Sequence, residues 1–120
     1  MRRRLLLVED DASVHEVLRA LLESAGYDVV GATDGEEALQ HLRAGADPSL
    51  ILLDLMLPRM DGFQFRALQR ANAAWARIPV VVYSGMDRLA ERVRELEPSA
   101  WFAKPMDPES LLLAIEKYCA

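Results

Sequence analysis

Short apolar runs alternate with longer amphipathic stretches along the chain. Residues 5–8 (Leu-Leu-Leu-Val) form an unbroken apolar run, the mark of a strand buried on both faces. Val14, Val17, Leu18, Leu21, Leu22 and Ala25 then recur at helical spacing, and Gly26 stands in C-cap position. Residues 27–30 read as a second strand. Asp34-Gly35 leads into a helix carrying Ala38, Leu39 and Leu42, which Gly45 ends. Residues 50–53 (Leu-Ile-Leu-Leu) predict a third buried strand. A loop through Pro58 and Gly62 precedes a helix over 63–73. Residues 78–83, rich in β-branched side chains, form a fourth strand. A charged helix over 88–97 turns Leu89, Val93 and Leu96 inward, and 100–103 is a short fifth strand. The last helix covers 107–118, with Asp107 as N-cap and Pro108 in its first turn. Leu111, Leu112, Ile115 and Cys119 share one of its faces.

Strict alternation of strand and helix predicts a parallel sheet between helical layers. Right-handed crossovers bring every strand's C-terminal end to one edge. Open sheets of this kind bind ligands at that edge.

Composition narrows the function. With 120 residues, 52% hydrophobic and 28% charged, the chain has ordinary globular make-up, and the expected organisation is a single domain over residues 1–120. Fourteen basic and 19 acidic residues give a formal net charge of −5, which counts against gripping nucleic acid by bulk electrostatics. Cys119 is the sole cysteine, so an internal disulfide and a cysteine-based zinc site are excluded. The apolar runs are far shorter than a bilayer span. Glu9, Asp10 and Asp11 interrupt the first run too early for a signal peptide. The expectation is a cytoplasmic protein with no membrane partner and no direct nucleic-acid partner.

The candidate chemistry lies at the strand ends. The first strand ends in Glu9-Asp10, the third in Asp54, the fourth in Ser84 and the fifth in Lys104-Pro105. Three carboxylates converging beside one lysine repel each other, and a divalent cation resolves the conflict. The donors are all oxygens, which suits Mg²⁺. A lysine beside them supplies a positive partner for a phosphoryl group. The loop after the first strand reads Glu9-Asp10-Asp11-Ala12-Ser13, with no glycine-rich phosphate cradle, which counts against a nucleotide.

The motifs Val8-Glu9-Asp10-Asp11, Leu53-Asp54-Leu55-Met56-Leu57-Pro58-Arg59-Met60-Asp61-Gly62, Tyr83-Ser84-Gly85 and Trp101-Phe102-Ala103-Lys104-Pro105 resemble the receiver domain of two-component response regulators. The resemblance covers the whole chain. It implies a flavodoxin-like (βα)5 sandwich, a parallel sheet in strand order 2-1-3-4-5. It implies that Asp54 is the phosphoacceptor and that Asp10 and Asp54 hold Mg²⁺ directly, with Glu9 acting through water and the Met56 backbone carbonyl as a further ligand. It implies that Lys104 pairs with a phosphoryl oxygen. Ser84 would be the switch hydroxyl and Trp101 the aromatic that responds to it. The implied partner is a histidine kinase or histidine phosphotransfer protein. The implied output face, formed by the fourth helix, fifth strand and fifth helix, would also support a transient homodimer. The chain would catalyse its own phosphorylation and would not turn over external substrates. Two other readings are weighed beside this one. A pseudo-receiver that only binds protein would not need Asp10, Asp54, Ser84 and Lys104 together. An Mg²⁺-dependent phosphohydrolase would place its nucleophile after the first strand and carry a cap over its substrate.

Several residues read as structural. Asp11 caps the first helix, Asp61-Gly62 is a turn, and Trp75 lies in a loop without function. His15 and His41 belong on the surface. Arg88, Arg92 and Arg94 interleave with Glu91, Glu95 and Glu97 as a solvated mixed-charge face. Against the family pattern, Ser84 replaces a threonine, Trp101 stands where tyrosine or phenylalanine is usual, and Met106 where phenylalanine is common. The Lys104-Pro105 bond resembles one that is often cis in this family.

Met56 and Met86 sit two residues beyond Asp54 and Ser84, and neither side chain can orient an attacking water. The phosphorylated form is therefore expected to decay slowly. Met56→Asn should speed that decay, followed as loss of the phosphorylated mass with time; an unchanged half-life refutes the reading.

Overall fold

The first apolar run forms β1 (Arg4–Val8), buried at every position after Arg4. In the computed structural model, which describes residues 3–85, 90–104 and 107–119, it is followed by α1 (Ala12–Ser24), β2 (Asp28–Ala32) and α2 (Gly35–Arg43). Then come β3 (Leu50–Leu53), α3 (Gly62–Ala71), β4 (Val80–Ser84), α4 (Ala90–Glu95), β5 (Ala100–Ala103) and α5 (Pro108–Tyr118). The strands pair in parallel in the order β2-β1-β3-β4-β5, the flavodoxin-like arrangement.

Alternation along the central strands divides the core. Leu5 and Leu7 of β1 with Leu50 and Leu52 of β3 face Leu18 and Leu22 of α1 and Leu111, Ile115 and Cys119 at α5. Leu6, Val8, Ile51 and Leu53 point the other way, against Leu39 and Leu42 of α2, Phe65 of α3 and Val93 of α4. Burial on both faces explains why these strands read as continuous apolar runs. Each of four helices starts on an aspartate whose side chain accepts a backbone N–H: Asp11 from Val14, Asp34 from Glu37, Asp61 from Gln64 and Asp107 from Ser110. Gly26 and Gly45 end α1 and α2 with φ of 96° and 85°, a region glycine enters without a Cβ penalty.

The structure departs from the sequence reading at identifiable places. β2 and β4 run to Ala32 and Ser84, past the expected 30 and 83. Helix α3 begins at Gly62 because Asp61 forms a capping box with Gln64. It ends at Ala71, where the chain turns through Asn72. Helix α4 stops at Glu95, and α3 takes over its C-terminal carbonyls. Arg66 donates to the carbonyls of Leu96 and Glu97, and Arg70 to that of Glu95. The α1 stripe is narrower than its spacing implied, since Val17 is exposed. The histidines are half-buried, not on the surface. The His15 ring occupies the place a Cβ on Gly31 would need, 2.6 Å away, and His41 Nε2 lies 3.0 Å from the Gly31 carbonyl. The readings made for Met86, Arg88, Leu89, the Lys104-Pro105 bond and Met106 lie outside the described residues.

Asp61-Gly62 is a helix start and a close approach, not a turn. A Cβ on Gly62 would lie 2.6 Å from the Asp54 carbonyl oxygen and 2.7 Å from Leu55 Cα. Its N–H donates to the Leu55 carbonyl. The glycine thus lets α3 begin directly beneath the exit of β3. Gly62→Ala is expected to destabilise the fold by about 1–3 kcal/mol through forced backbone displacement. Urea unfolding reads this directly, and an unchanged midpoint contradicts it.

Candidate functional site

Register ends β1 level with β3 and carries β4 and β5 two residues further. Val8 of β1 pairs with Leu53 of β3, Leu53 with Val82 of β4, and Val82 with Trp101 of β5. The ladder continues past the strands: Glu9 N–H donates to Ala32, Asp54 N–H to Val8 and Lys104 N–H to Ser84. These backbone bonds aim Glu9, Asp54 and Lys104 into one shallow cavity of about 440 Å³, which Asp10, Asp11 and Met56 also line.

Lys104 crosses this cavity. Its Nζ donates to Glu9 Oε1 at 2.6 Å and to Asp54 Oδ2 at 3.0 Å. Glu9 and Asp54 are buried, at 1% and 7% exposure, while Asp10 faces solvent. One carboxylate oxygen from each of Glu9, Asp10 and Asp54 falls within 4.8 Å of the others. The other Asp54 oxygen, Oδ1, accepts the Met56 N–H at 3.1 Å, which curls the loop tightly around the carboxylate.

These contacts separate the two buried acids. Burial pushes the Glu9 carboxyl up to about 8, and the neighbouring Asp54 adds to the rise against the pull of Lys104. Burial raises Asp54 too, but its bonds from Glu9, Lys104 and the Met56 N–H outweigh that and hold it below the usual carboxylate range. Burial alone lowers Lys104, yet its bonds to Glu9 and Asp54 leave it above the ordinary lysine value. The arrangement keeps Asp54 ionised, as a nucleophile needs, with a cation at its oxygen.

Ser84 ends β4 fully buried, and its Oγ has no hydrogen-bond partner among the described residues; Glu9 Oε2 is in the same position. Each such atom is costly unless it is satisfied in another state. Trp101 lies apart from this group, 36% exposed on β5. The Lys104 ammonium also sits 5.5 Å from the centre of the Tyr83 ring.

One residue escaped the sequence reading. Arg92, read as part of a solvated charged face, lays its guanidinium over the Phe63 ring, 4.1 Å from the centroid. Together they line a second cavity of about 470 Å³ that shares the Asp10 and Met56 walls with the first. No local signal joins α3 to α4 in this way, since the pairing is made only by the packed fold.

The family model for the response regulator receiver domain matches residues 5–116. The chain is 39% identical over 118 residues to the phosphate regulon transcriptional regulatory protein PhoB of Klebsiella pneumoniae, covering 97% of this chain and 51% of that protein. It is 34% identical over 114 residues to the DNA-binding dual master transcriptional regulator RpaA of Synechocystis, covering 93% of this chain and 47% of that one. It thus spans about half the length of both. Protein PilG of Pseudomonas aeruginosa is 32% identical over 117 residues, covering 96% of this chain and 86% of PilG. Among solved structures, the chemotaxis response regulator CheY4 of Vibrio cholerae superposes with a TM-score of 0.88 at 27% identity, covering 98% of this chain and 99% of that one. A CheY-like receiver domain protein from Methanospirillum hungatei gives 0.88 at 26% identity, covering 99% and 94%.

Removing Lys104 leaves two buried carboxyls facing each other without a cation. Lys104→Met is expected to lower stability by roughly 2–4 kcal/mol in buffer free of divalent cations. A loss below about 0.5 kcal/mol, the scale of an exposed pair, would show that the ion pair is not what holds the strand ends together.

Proposed function

This chain belongs to the response regulator receiver family, and on that premise we propose that Asp54 accepts a phosphoryl group from a phosphohistidine of a histidine kinase or histidine phosphotransfer protein. The observation that carries the reading is the buried Asp54 carboxylate held by Lys104 at the mouth of the sheet. Response regulators are signalling proteins, and the proposed reaction is a single self-directed transfer, not turnover of an external substrate. An Asp54 carboxylate oxygen attacks phosphorus, the P–N bond breaks, and its electron pair returns to the imidazole. The product is an acyl phosphate on Asp54, carrying roughly 1.5 to 2 negative charges by analogy with other phosphoryl groups in place of the single charge of the carboxylate.

Lys104 has two roles in this reading. It holds Asp54 in place before transfer, 3.0 Å away, and then serves as the cation for a phosphoryl oxygen. Ser84 brings a buried hydroxyl with no partner among the described residues, which a phosphoryl oxygen on Asp54 would satisfy. That movement would draw the end of β4 toward Asp54. The change would pass to the face built by α4, β5 and α5, with Trp101 exposed on it as the candidate reporter. Transient self-association through that face belongs to the same proposal, as does a receiver unit spanning the chain.

The residues fit a magnesium ion. The donor set is all oxygen, three carboxylates converge within 4.8 Å, and Glu9 Oε2 is buried without a partner among the described residues. Asp10 and Asp54 would hold the ion with the Met56 carbonyl, and Glu9 would act from behind through water. Such an ion neutralises charge on a transferring phosphoryl group. Among the described residues, no helix is long and apolar enough to cross a membrane.

Incubation with Mg²⁺ and acetyl phosphate should add one phosphoryl group by intact mass. The adduct should be absent in Asp54→Asn and after chelation by EDTA. An adduct that survives in Asp54→Asn moves the acceptor elsewhere and refutes the assignment.

A further inference from the structure

We propose that Arg92 and Phe63 form a subsite beside the acceptor that takes the departing carboxylate of a small acyl phosphate donor, an inference that rests on Asp54 being the acceptor. The two cavities adjoin, since Asp10 and Met56 wall both. A donor placed on Asp54 in the first can therefore extend its leaving group into the second. That second cavity has mainly apolar walls, Leu55, Leu57, Met56 and the Phe63 ring, with one cation. Its two carboxylates are otherwise engaged: Asp61 accepts the Gln64 N–H as the α3 cap, and Asp10 belongs to the acid cluster.

The cation is placed and unspent. The guanidinium is stacked 4.1 Å from the Phe63 centroid, and among the described residues it makes no hydrogen bond or ion pair. Stacking fixes the plane of the group and leaves its N–H edge free for a carboxylate.

The chemistry selects the donor. An Asp54 oxygen bonds to phosphorus, and the bond from phosphorus to the bridging acyl oxygen breaks. The electron pair stays on that oxygen, which leaves as a carboxylate anion. A cation at that point stabilises charge that develops only as the bond breaks. With phosphoramidate the P–N bond breaks and the nitrogen leaves as neutral ammonia, so the same cation has no developing charge to meet. Arg92 thus favours acyl phosphates over phosphoramidates.

The test is the ratio of initial phosphorylation rates with acetyl phosphate and with phosphoramidate, read by intact mass in one Mg²⁺ buffer. In Arg92→Gln the ratio is expected to fall about tenfold, the effect of one charge-assisted contact in a transition state. Phe63→Leu should lower it by less, and Arg92→Lys should retain most of it. A ratio unchanged in Arg92→Gln, including an equal fall with both donors, overturns the subsite and leaves the acceptor reading intact. Failure of both donors to phosphorylate the folded wild-type protein overturns the acceptor reading, and the subsite falls with it.

Discussion

The ends of three strands are held together by one ammonium group. Lys104 at the end of β5 reaches Glu9 at the end of β1 and Asp54 at the end of β3. Without it, two buried carboxyls meet in a medium that screens poorly. Its position forces the rest of the edge. The strand ends must lie within reach of one side chain: β1 and β3 finish level, and β4 and β5 run two residues further in the same register before Lys104. Helix α3 must start close below β3 for the loop to wrap Asp54, and Gly62 makes room for it. A site of this kind is a balance of charge first and a shape second.

The same balance explains which parts were legible in the sequence. Strands buried on both faces write themselves as uninterrupted apolar runs, so the positions of β1 and β3 were plain, and strand ends followed from them. Glu9, Asp10 and Asp54 stand directly after those runs and Lys104 after the short fifth strand, so their convergence followed from the topology. Asp11 and Asp107 were equally visible as caps because they act on the backbone three residues ahead, whereas Asp61, which does the same, read as a turn.

Contacts decided by distant partners left no trace. Gln69 is fully buried on α3, with its amide N–H groups donating to the carbonyls of Trp75 and Ile78. Arg66, also buried, spends its guanidinium on carbonyls beyond α4 and on Gln69. Both look like solvent-facing residues in a linear reading, whereas their face of α3 is polar but packed. His15 was misplaced for a related reason: a glycine on another element created its berth. Arg92 was read with the charges beside it in sequence, whereas its partner is an aromatic ring on a different helix.

The reach of Lys104 also bears on the order of events as the chain folds. Its contact with Glu9 joins residues 95 positions apart. Contacts of long separation must first overcome the entropy of closing the intervening loop. During synthesis from the N-terminus, Glu9 and Asp54 emerge well before their counter-charge. An unfinished chain therefore holds an acidic cleft with no cation of its own. Only docking of the last strand closes the circuit, so an intact edge is itself a sign that the sheet has been completed.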